Sequence, residues 1–413
     1  MNKRLIILCL ITVCFSLHAQ QEEPNYDESK VPSFVLSPLL INSKGEKVIS
    51  TEEWEEECRP EIRSVFADQV YGITPDKSIP VTYEIKAIYE KAFEGKATSK
   101  QVLLQFTDGT HQRDVMLLLY LPNQVGGRVP LFFCYNYLGN ERICNDPNIL
   151  PSPSRKEKGS IQRGGRENRW PIEKILAAGY GVATVCYQDF FRDAPDQYED
   201  SMMPFFGYNN TTEIKSNTWQ AIGVWAWGMS RVMDYLETDP QIDGSKVILM
   251  GHSRQGKAAL WAGAQDQRFS IVISNNSGCG GAALSKRKYG ETIDIITSSF
   301  PYWFCKNFDY YAGNEQQLSF DQHELLALIA PRPLYVASAE DDKWADPKGE
   351  FLAAKYVSPV YELYNYKGLT VEEVPPVNSP VMSRVGYHIR TGVHDVTDYD
   401  WEQFIRFADK WLK

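Results

Sequence analysis

Short apolar runs alternate with longer segments of helical periodicity from residue 131 onwards. Runs of four to six residues predict buried strands at 131–134, 181–186, 247–250, 271–274, 334–338 and 361–364. Helical patterns lie between several of them, at 171–178, 219–236 and 255–264. Strands that are apolar throughout are buried on both faces, so this alternation predicts a mostly parallel sheet covered by helices on both sides.

The region before this alternation has a different pattern. Residues 81–88, 101–106 and 113–121 are rich in β-forming side chains and are separated by turn residues, which predicts an antiparallel start to the sheet. No linker rich in Pro, Ser or Gly divides the 413-residue chain. We therefore expect a polar lead-in at 20–50 and a single large α/β domain at 51–413.

Residues 1–19 have the pattern of an export signal. Lys3 and Arg4 precede an apolar run at 5–17, and Ala19 is the small residue that signal peptidase needs. The run is shorter than the roughly 20 apolar residues that a membrane span takes. We predict cleavage after Ala19 and a mature protein in the periplasm or outside the cell.

Composition narrows the classes of function. With 43 basic and 53 acidic residues the formal charge is −10, and no basic cluster is long enough to follow a phosphate backbone, which argues against a nucleic-acid partner. Six of the eight cysteines lie beyond the signal, and none belongs to a Cys/His cluster typical of a metal site. Cys279 and Cys305 are the pair that we single out as a candidate disulfide. Cys134 and Cys186 have the apolar neighbours of buried strand residues.

A serine stands at the junction of a predicted strand and a predicted helix. The apolar run at 247–250 leads directly into the residues GHSRQGK at 251–257. A sharp strand-to-helix turn exposes a serine hydroxyl above the sheet and needs small flanking residues, so Ser253 is a candidate nucleophile. The alternative is that Ser253 only caps the helix. The second glycine comes one position later than in the usual Gly-x-Ser-x-Gly spacing.

A serine nucleophile needs a histidine base that is held by a carboxylate. Only His388 and His394 follow the last predicted strand, where the chain order of α/β hydrolases places the base. His394 lies in a glycine-containing loop before the helix predicted at 401–412 and is the favoured candidate. His388 has an apolar context, which is typical of a buried structural histidine.

The carboxylate is expected in a loop after one of the last strands. The strand at 334–338 is followed by an acidic loop that contains Asp341, Asp342 and Asp346. The preceding strand is followed by Asn275 and Asn276, which carry no charge. The acid is therefore predicted in the later loop, and its identity is open at this point.

The sequence resembles the glucuronoyl esterases of carbohydrate esterase family 15 over most of its length. The similarity is carried by RWP at 169–171 with GYGVAT at 179–184, AIGVWAW at 221–227, GHSRQGK at 251–257, APRP at 330–333 and WADPKGE at 344–350. The Ser-Arg-x-Gly-Lys elbow is the family's signature and accounts for the shifted glycine. The resemblance implies an α/β-hydrolase fold, with residues 51–413 as the catalytic domain.

The resemblance also implies roles for individual residues. They are Ser253 as nucleophile, His394 as base, Arg254 as oxyanion donor through its backbone N–H and its guanidinium, and Lys257, Trp344 and, more loosely, Glu291 as substrate-binding residues. The sequence departs from the branch of the family that has a glutamate at the position of Asn276. The resemblance then points to the other branch, whose acid lies two residues before the tryptophan, at Asp342. Asp341 and Asp346 remain alternatives.

Together these residues predict an exported serine carboxylesterase. Its expected substrates are esters of glucuronic or 4-O-methylglucuronic acid on glucuronoxylan, as in lignin-carbohydrate linkages, and we expect a monomer without metal or cofactor. The loop at 136–139 is expected to supply a second oxyanion donor. A carbohydrate acetyl esterase with the same triad is an alternative, in which the sugar lies on the alcohol side of the ester. An inactive carbohydrate-binding homologue is a second alternative, because position 276 lacks a glutamate.

Overall fold

A computed structural model describes residues 23–154 and 162–413, so the predicted signal segment at 1–19 lies outside the described residues. The strands are β1 Val81–Lys91, β2 Ala97–Thr107, β3 Gln112–Pro122, β4 Val129–Asn136, β5 Gly181–Cys186, β6 Ile242–His252, β7 Ile271–Asn275, β8 Leu334–Ala339, β9 Val381–Met382 and β10 Val385–Arg390.

The helices follow in the same chain order. They are α1 Thr51–Glu53, α2 Arg59–Phe66, α3 Ala92–Gly95, α4 Ile172–Ala177, α5 Ala221–Thr238, α6 Arg254–Gln265, α7 Ile293–Ser299, α8 Lys306–Asp309, α9 Gln322–Ala327, α10 Pro347–Tyr356, α11 Ser358–Leu363 and α12 Asp398–Leu412.

The ten strands form one sheet in the order β1-β2-β3-β5-β4-β6-β7-β8-β10-β9. Strands β1, β2 and β3 are antiparallel, as predicted. From β5 across β4, β6, β7 and β8 to β10, every neighbouring pair is parallel. This is the arrangement of an α/β-hydrolase fold, and it brings the carboxyl ends of the parallel strands to one edge of the sheet.

The sheet separates two apolar cores. Along β6, Val247 and Leu249 belong to one core, whereas Ile248 and Met250 belong to the other. Helices α5, α6 and α10 cover the first face, and α4 and α12 cover the second. The alternation explains why residues 247–250 of this strand are all apolar: both faces of the strand are buried there.

One of the predicted strands is wrong. Residues 361–364 do not form a strand, because residues 358–363 form helix α11, with Pro359 in its first turn. Only Val360 and Tyr361 of this helix are buried, so the apolar residues form one face of a short helix.

The strand beside β8 is instead β10, which the sequence did not predict. All six of its residues are buried. Gly386, His388 and Arg390 interrupt its apolar run. Glycine is needed at 386 because a Cβ there would lie 2.3 Å from the Tyr335 ring.

The predicted disulfide between Cys279 and Cys305 is also wrong. Both residues are free thiols, as are the other four cysteines of the described residues, and all six are buried. Cys134 in β4 and Cys186 in β5 are buried strand residues, as predicted. Within residues 23–154 and 162–413 no helix is long and apolar enough to cross a membrane, and no three metal-ligating side chains cluster.

Residues 23–50 lie against the C-terminal half of the chain. Glu28 accepts hydrogen bonds from Arg287 at 2.6 Å and from Lys348 at 2.9 Å. The backbone N–H of Gly290 donates to the carbonyl of Asn25 at 2.8 Å. These contacts place the predicted lead-in beside the segment that carries Glu291.

Candidate active site

Ser253 lies in a strained turn between β6 and α6. Its backbone angles are φ 56° and ψ −129°, a conformation that residues other than glycine rarely adopt. Its N–H donates to the carbonyl of Asn275 at 2.9 Å, which ties the turn to the end of β7. Position 251 requires glycine, because a Cβ there would lie 2.0 Å from the carbonyl oxygen of Gln255. The turn therefore has the geometry of a nucleophile elbow at the carboxyl edge of the sheet.

The shifted second glycine of the elbow has a packing reason. A Cβ at position 256 would lie 2.8 Å from the Cβ of Ser277, in the loop after β7. Helix α6 can approach this loop closely only because residue 256 is glycine. Gln255, which occupies the usual glycine position, is fully buried.

His394 and Asp342 are joined by a hydrogen bond. The Nδ1 of His394 lies 2.6 Å from the Oδ2 of Asp342. The aspartate is buried, whereas the imidazole is 40% exposed. The side-chain amide of Asn276 donates to the same carboxylate oxygen at 2.7 Å. A buried carboxylate behind a half-exposed imidazole is the arrangement that orients the base of a serine hydrolase.

The other two carboxylates of the acidic loop have different surroundings. Asp346 forms an ion pair with Arg287 at 2.8 Å and caps α10 by accepting from the N–H of Gly349 at 3.0 Å. Asp341 is exposed to solvent. Among the three carboxylates that the sequence left open, the hydrogen bond of His394 goes to Asp342.

Arg390 holds the loop that carries His394 through hydrogen bonds to its backbone. Its guanidinium donates to the carbonyls of Thr391 and Val393, both at 3.0 Å, and to that of Asp395 at 2.6 Å. Its Nε donates to the buried Asp400 at 2.7 Å. Three carbonyls on one rigid cation fix the path of the loop around His394.

His388 lies inside β10 rather than in a loop, and it is fully buried. Its Nδ1 is 2.9 Å from the hydroxyl of Tyr335 and its Nε2 is 3.0 Å from Asp400. Both ring nitrogens therefore have partners away from Ser253, as expected for a structural histidine.

Two cavities flank Ser253. Ser253, Arg254 and His394 line both of them. The Lys257 cavity, of about 330 Å³, is also lined by Lys257, Asn276, Glu291, Trp303, Asp342 and Trp344. The His252 cavity, of about 360 Å³, is also lined by Asn136, Tyr137, Leu138, Arg169, Trp170 and His252. A molecule bound across Ser253 would reach into both cavities.

Lys257 is buried, although most lysines in proteins are exposed to solvent. Its ammonium donates to the carbonyls of Ser277 and Cys279, both at 2.6 Å, and lies 3.7 Å from the carboxylate of Glu291. Burial raises the pKa of Glu291 above its usual value, while Lys257 opposes this rise. Trp344, at the mouth of the cavity, is 41% exposed. The three substrate-binding residues named from the sequence thus line one cavity.

Arg254 is held by a carboxylate that the sequence did not single out. Its guanidinium pairs with Asp193 and lies over the ring of Trp303, 4.7 Å from the ring centroid. Asp193 also accepts from the hydroxyls of Tyr187 at 2.6 Å and Tyr302 at 2.9 Å, and from the indole of Trp303 at 2.8 Å. The Nε of Arg254 is buried and has no hydrogen-bond partner in the described residues.

Asp193 and Arg390 contact residues of the site, but the sequence analysis did not predict them, for different reasons. Asp193 lies in the irregular stretch 189–217, where no periodicity indicates which side chain faces the site. Arg390 ends β10, and recognising that strand would have placed it at the carboxyl edge of the sheet. The loop predicted to help bind the oxyanion lies beside the site, and the Tyr137 hydroxyl donates to the carbonyl of His252 at 2.5 Å.

Comparison with known proteins decides the family. A family model of fungal glucuronyl esterases matches residues 176–365. The structure of a glucuronoyl esterase from Solibacter usitatus is 44% identical and superposes with a TM-score of 0.89 over 93% of this chain and 100% of that one. The chain belongs to the glucuronoyl esterases of carbohydrate esterase family 15. It is thus a carboxylic ester hydrolase.

Two further relatives of this glucuronoyl esterase are also named as esterases. Carbohydrate esterase MZ0003, from an unknown prokaryotic organism, is 42% identical over 404 residues, which are 95% of this chain and 93% of that one. A 4-O-methyl-glucuronoyl methylesterase from Wolfiporia cocos is 38% identical over 156 residues, which are 35% of this chain and 38% of the fungal one. The similarity to the Solibacter and MZ0003 proteins extends over nearly the whole chain, whereas the similarity to the Wolfiporia protein is local.

Proposed function

We propose that this esterase hydrolyses the ester between a glucuronic or 4-O-methylglucuronic acid on glucuronoxylan and an alcohol, as in lignin-carbohydrate linkages. The observation that carries the proposal is the position of Ser253 and His394 between two cavities, only one of which contains Lys257, Glu291 and Trp344. The pair of Lys257 and Glu291, with Trp344 beside it, therefore lies on one side of the nucleophile. An ester with the sugar in its acyl part fits this asymmetry.

In the acylation step, the hydroxyl oxygen of Ser253 attacks the carbonyl carbon and its proton passes to His394. Asp342 accepts from Nδ1–H of the imidazole, which leaves Nε2 free to take that proton, and it stabilises the imidazolium that results. The tetrahedral intermediate collapses when His394 returns the proton to the departing alcohol. The acyl group remains on Ser253 until water releases it.

The negative oxygen of the intermediate needs donors already in place. Arg254 offers its backbone N–H at the start of α6, and its unpartnered Nε is a second donor near the nucleophile. A preorganised donor of this kind contributes about 3 to 4 kcal/mol to transition-state stabilisation. We propose that Asp193 sets the orientation of the guanidinium.

Lys257 and Glu291 are proposed to bind hydroxyls of the uronoyl ring, and Trp344 to stack on one face of it. A buried ammonium and a buried carboxylate offer one donor and one acceptor of fixed position. A ring that carries hydroxyls on neighbouring carbons satisfies both. An acetyl group carries neither hydroxyl, so an acetyl ester would leave the pair without a substrate contact.

A direct assay tests the substrate class. Benzyl glucuronate and acetylated xylan are supplied side by side to the purified enzyme, and release of benzyl alcohol and of acetate is measured. We expect kcat/KM for the glucuronate ester to exceed that for acetyl groups by at least about 100-fold, since loss of two polar ring contacts has that effect. Equal or reversed preference would support the acetyl esterase alternative.

Replacement of Lys257 tests the acyl pocket. We expect Lys257→Met to lower kcat/KM for benzyl glucuronate by about 100-fold, because a charged hydrogen bond to the ring is lost. Lys343→Met, in the exposed part of the acid loop, is the control and should keep wild-type kinetics. Wild-type kcat/KM in Lys257→Met would place the sugar elsewhere.

A double variant separates loss of the ring contact from loss of the fold. Lys257→Met alone would leave the Glu291 carboxyl group buried without its cation, which destabilises the protein. Combining it with Glu291→Gln should therefore regain stability in urea unfolding without regaining activity. Recovery of activity together with stability would mean that the single variant had only lost its fold.

We also propose that the chain is exported and cleaved after Ala19. The support is the basic and apolar pattern of residues 1–19. The intact mass of the protein recovered from the periplasm or the medium of an expressing bacterium tests this. A mass that starts at Gln20 is expected, and a cytoplasmic product that keeps Met1 would contradict the proposal.

A further inference from the structure

A chain of buried hydrogen bonds leads from α12 to the residue before the nucleophile. Asp400 is fully buried, and it accepts from the Nε of Arg390 at 2.7 Å and from the amide nitrogen of Asn275 at 3.2 Å. The amide oxygen of Asn275 lies 2.6 Å from the Nδ1 of His252. A carboxylate paired with arginine can only accept, so Asp400 fixes which end of the amide faces His252.

This orientation determines the tautomer of His252. Because the amide oxygen of Asn275 can only accept, Nδ1 of His252 carries the proton. Burial, and then the charges of His394 and Arg169, hold the pKa of His252 well below its usual value, so the ring is neutral. Nε2 therefore has a lone pair, and the side-chain hydrogen bond of His252 within the described ranges is made through Nδ1.

His252 and His394 are neighbours that line the same cavity. The centroids of the two rings are 4.6 Å apart and their planes are inclined at 41°. A water molecule can donate to two acceptors that lie about 4.7 Å apart, so neighbouring imidazoles on one cavity wall can share one water. Both histidines line the His252 cavity, and His252 does not line the Lys257 cavity. The lone pair thus lies on the alcohol side of the nucleophile, from which the water of deacylation must approach.

We propose that Nε2 of His252 binds and orients the hydrolytic water, an inference that rests on the proposed function. The water oxygen forms a bond to the acyl carbonyl carbon, and one of its protons passes to His394. The second O–H stays intact and donates to His252. When the intermediate collapses, the bond to Ser253 breaks, His394 returns its proton to the serine oxygen, and the free uronic acid leaves. His252 neither gains nor loses a proton.

With His252 in this role, water and alcohols differ in how well they bind as the attacking nucleophile. An alcohol has a single hydroxyl proton, which passes to His394, so an attacking alcohol leaves His252 without a donor. Water alone satisfies both acceptors. His252 therefore favours hydrolysis over transfer of the acyl group to an alcohol.

Two variants of His252 distinguish the roles of its two ring nitrogens. His252→Asn keeps a donor for Asn275 and removes the acceptor that faces the cavity. His252→Gln keeps an amide oxygen near the position of Nε2. The probe is benzyl glucuronate in water that contains methanol, and the measured quantity is the initial ratio of glucuronic acid to methyl glucuronate.

We expect His252→Asn to lower the ratio of hydrolysis to methanolysis by about tenfold, the effect of one hydrogen bond in the transition state. His252→Gln should recover part of the ratio. His323→Asn, at a buried histidine that contacts the carbonyl of Ser37, is the control and should give the wild-type ratio. Thermal unfolding of each variant checks that the fold is retained.

A structural role of His252 would slow hydrolysis and methanolysis together, so an unchanged ratio in both His252 variants overturns the inference. A wild-type enzyme that releases no benzyl alcohol contradicts the proposed function instead, and this inference with it. A wild-type enzyme that is active, with unchanged ratios in the variants, contradicts the role of His252 alone.

Discussion

Asp342 differs from its two neighbouring carboxylates in what it contacts. It shares one oxygen between His394 at 2.6 Å and Asn276 at 2.7 Å, inside the wall of the Lys257 cavity. The absence of a glutamate at position 276 therefore leaves no gap in the site. Asn276 donates to the carboxylate that we propose as the acid of the triad.

We predict that Asp342→Asn lowers kcat on benzyl glucuronate by about 10³ to 10⁴-fold, because an amide facing Nδ1 favours the wrong tautomer of His394. Asn276→Ala should lower kcat by about tenfold, because one hydrogen bond to the Asp342 carboxylate is lost. Asp341→Asn, at an exposed position of the same loop, is the control. Steady-state kinetics of the three variants check the order of effects. A larger loss in Asp341→Asn than in Asp342→Asn would reassign the acid.

At the scale of elements, the irregular stretch 189–217 contacts Arg254 through Asp193. This carboxylate joins Arg254 of α6 to Tyr302 and Trp303 of the segment after α7. We predict that Asp193→Asn lowers kcat by about 100-fold, since a freed guanidinium no longer presents its Nε to the oxyanion. Asp196→Asn, exposed in the same stretch, should keep wild-type kinetics. A change confined to KM in Asp193→Asn would contradict an effect on the transition state.

Periodicity predicted the elements that are apolar throughout and failed where polar side chains enter a buried strand. Strands β4 to β8 were found because both faces are apolar, whereas β10 carries His388 and Arg390, which both hydrogen-bond to the buried Asp400. The elbow could be predicted from local spacing, and the pairing of His394 with Asp342 from the family resemblance. The pairing of Asp193 with Arg254 could not, because the two residues are 61 positions apart.

At the scale of the whole molecule, buried ionisable groups make stability depend on pH. Burial raises the pKa of Glu324 to about 7 and that of Glu350 to about 8. Burial lowers the pKa of His323 to about 4, and it also lowers the pKa values of His252 and His388. In the unfolded chain these groups titrate near their ordinary values.

The two classes act in opposite directions. Below about pH 6.5 the unfolded histidines bind protons that the folded ones do not, which makes stability rise with pH. Above about pH 4.5 the buried glutamates keep protons that the unfolded ones have lost, which makes stability fall. Between pH 6.5 and 7.5 the unfolded histidines are largely neutral and the unfolded glutamates are ionised, while Glu350 in the folded protein keeps its proton. The folded state then binds more protons than the unfolded state, and stability falls as pH rises.

We predict that the free energy of unfolding, measured in urea, falls by about 1 kcal/mol from pH 6.5 to 7.5 in the wild type. Glu350→Gln should flatten this slope, because glutamine can still accept from the N–H groups of Ser277 and Gly278 without titrating. An equal slope in both proteins would mean that folded Glu350 is already ionised at pH 6.5. The same loop supplies the carbonyls of Ser277 and Cys279 to Lys257, so a proton on Glu350 also bears on the acyl pocket. Because the substituted side chain keeps its contacts with this loop, the Glu350→Gln variant should retain wild-type KM at pH 6.5 while its stability falls less steeply with pH in this range.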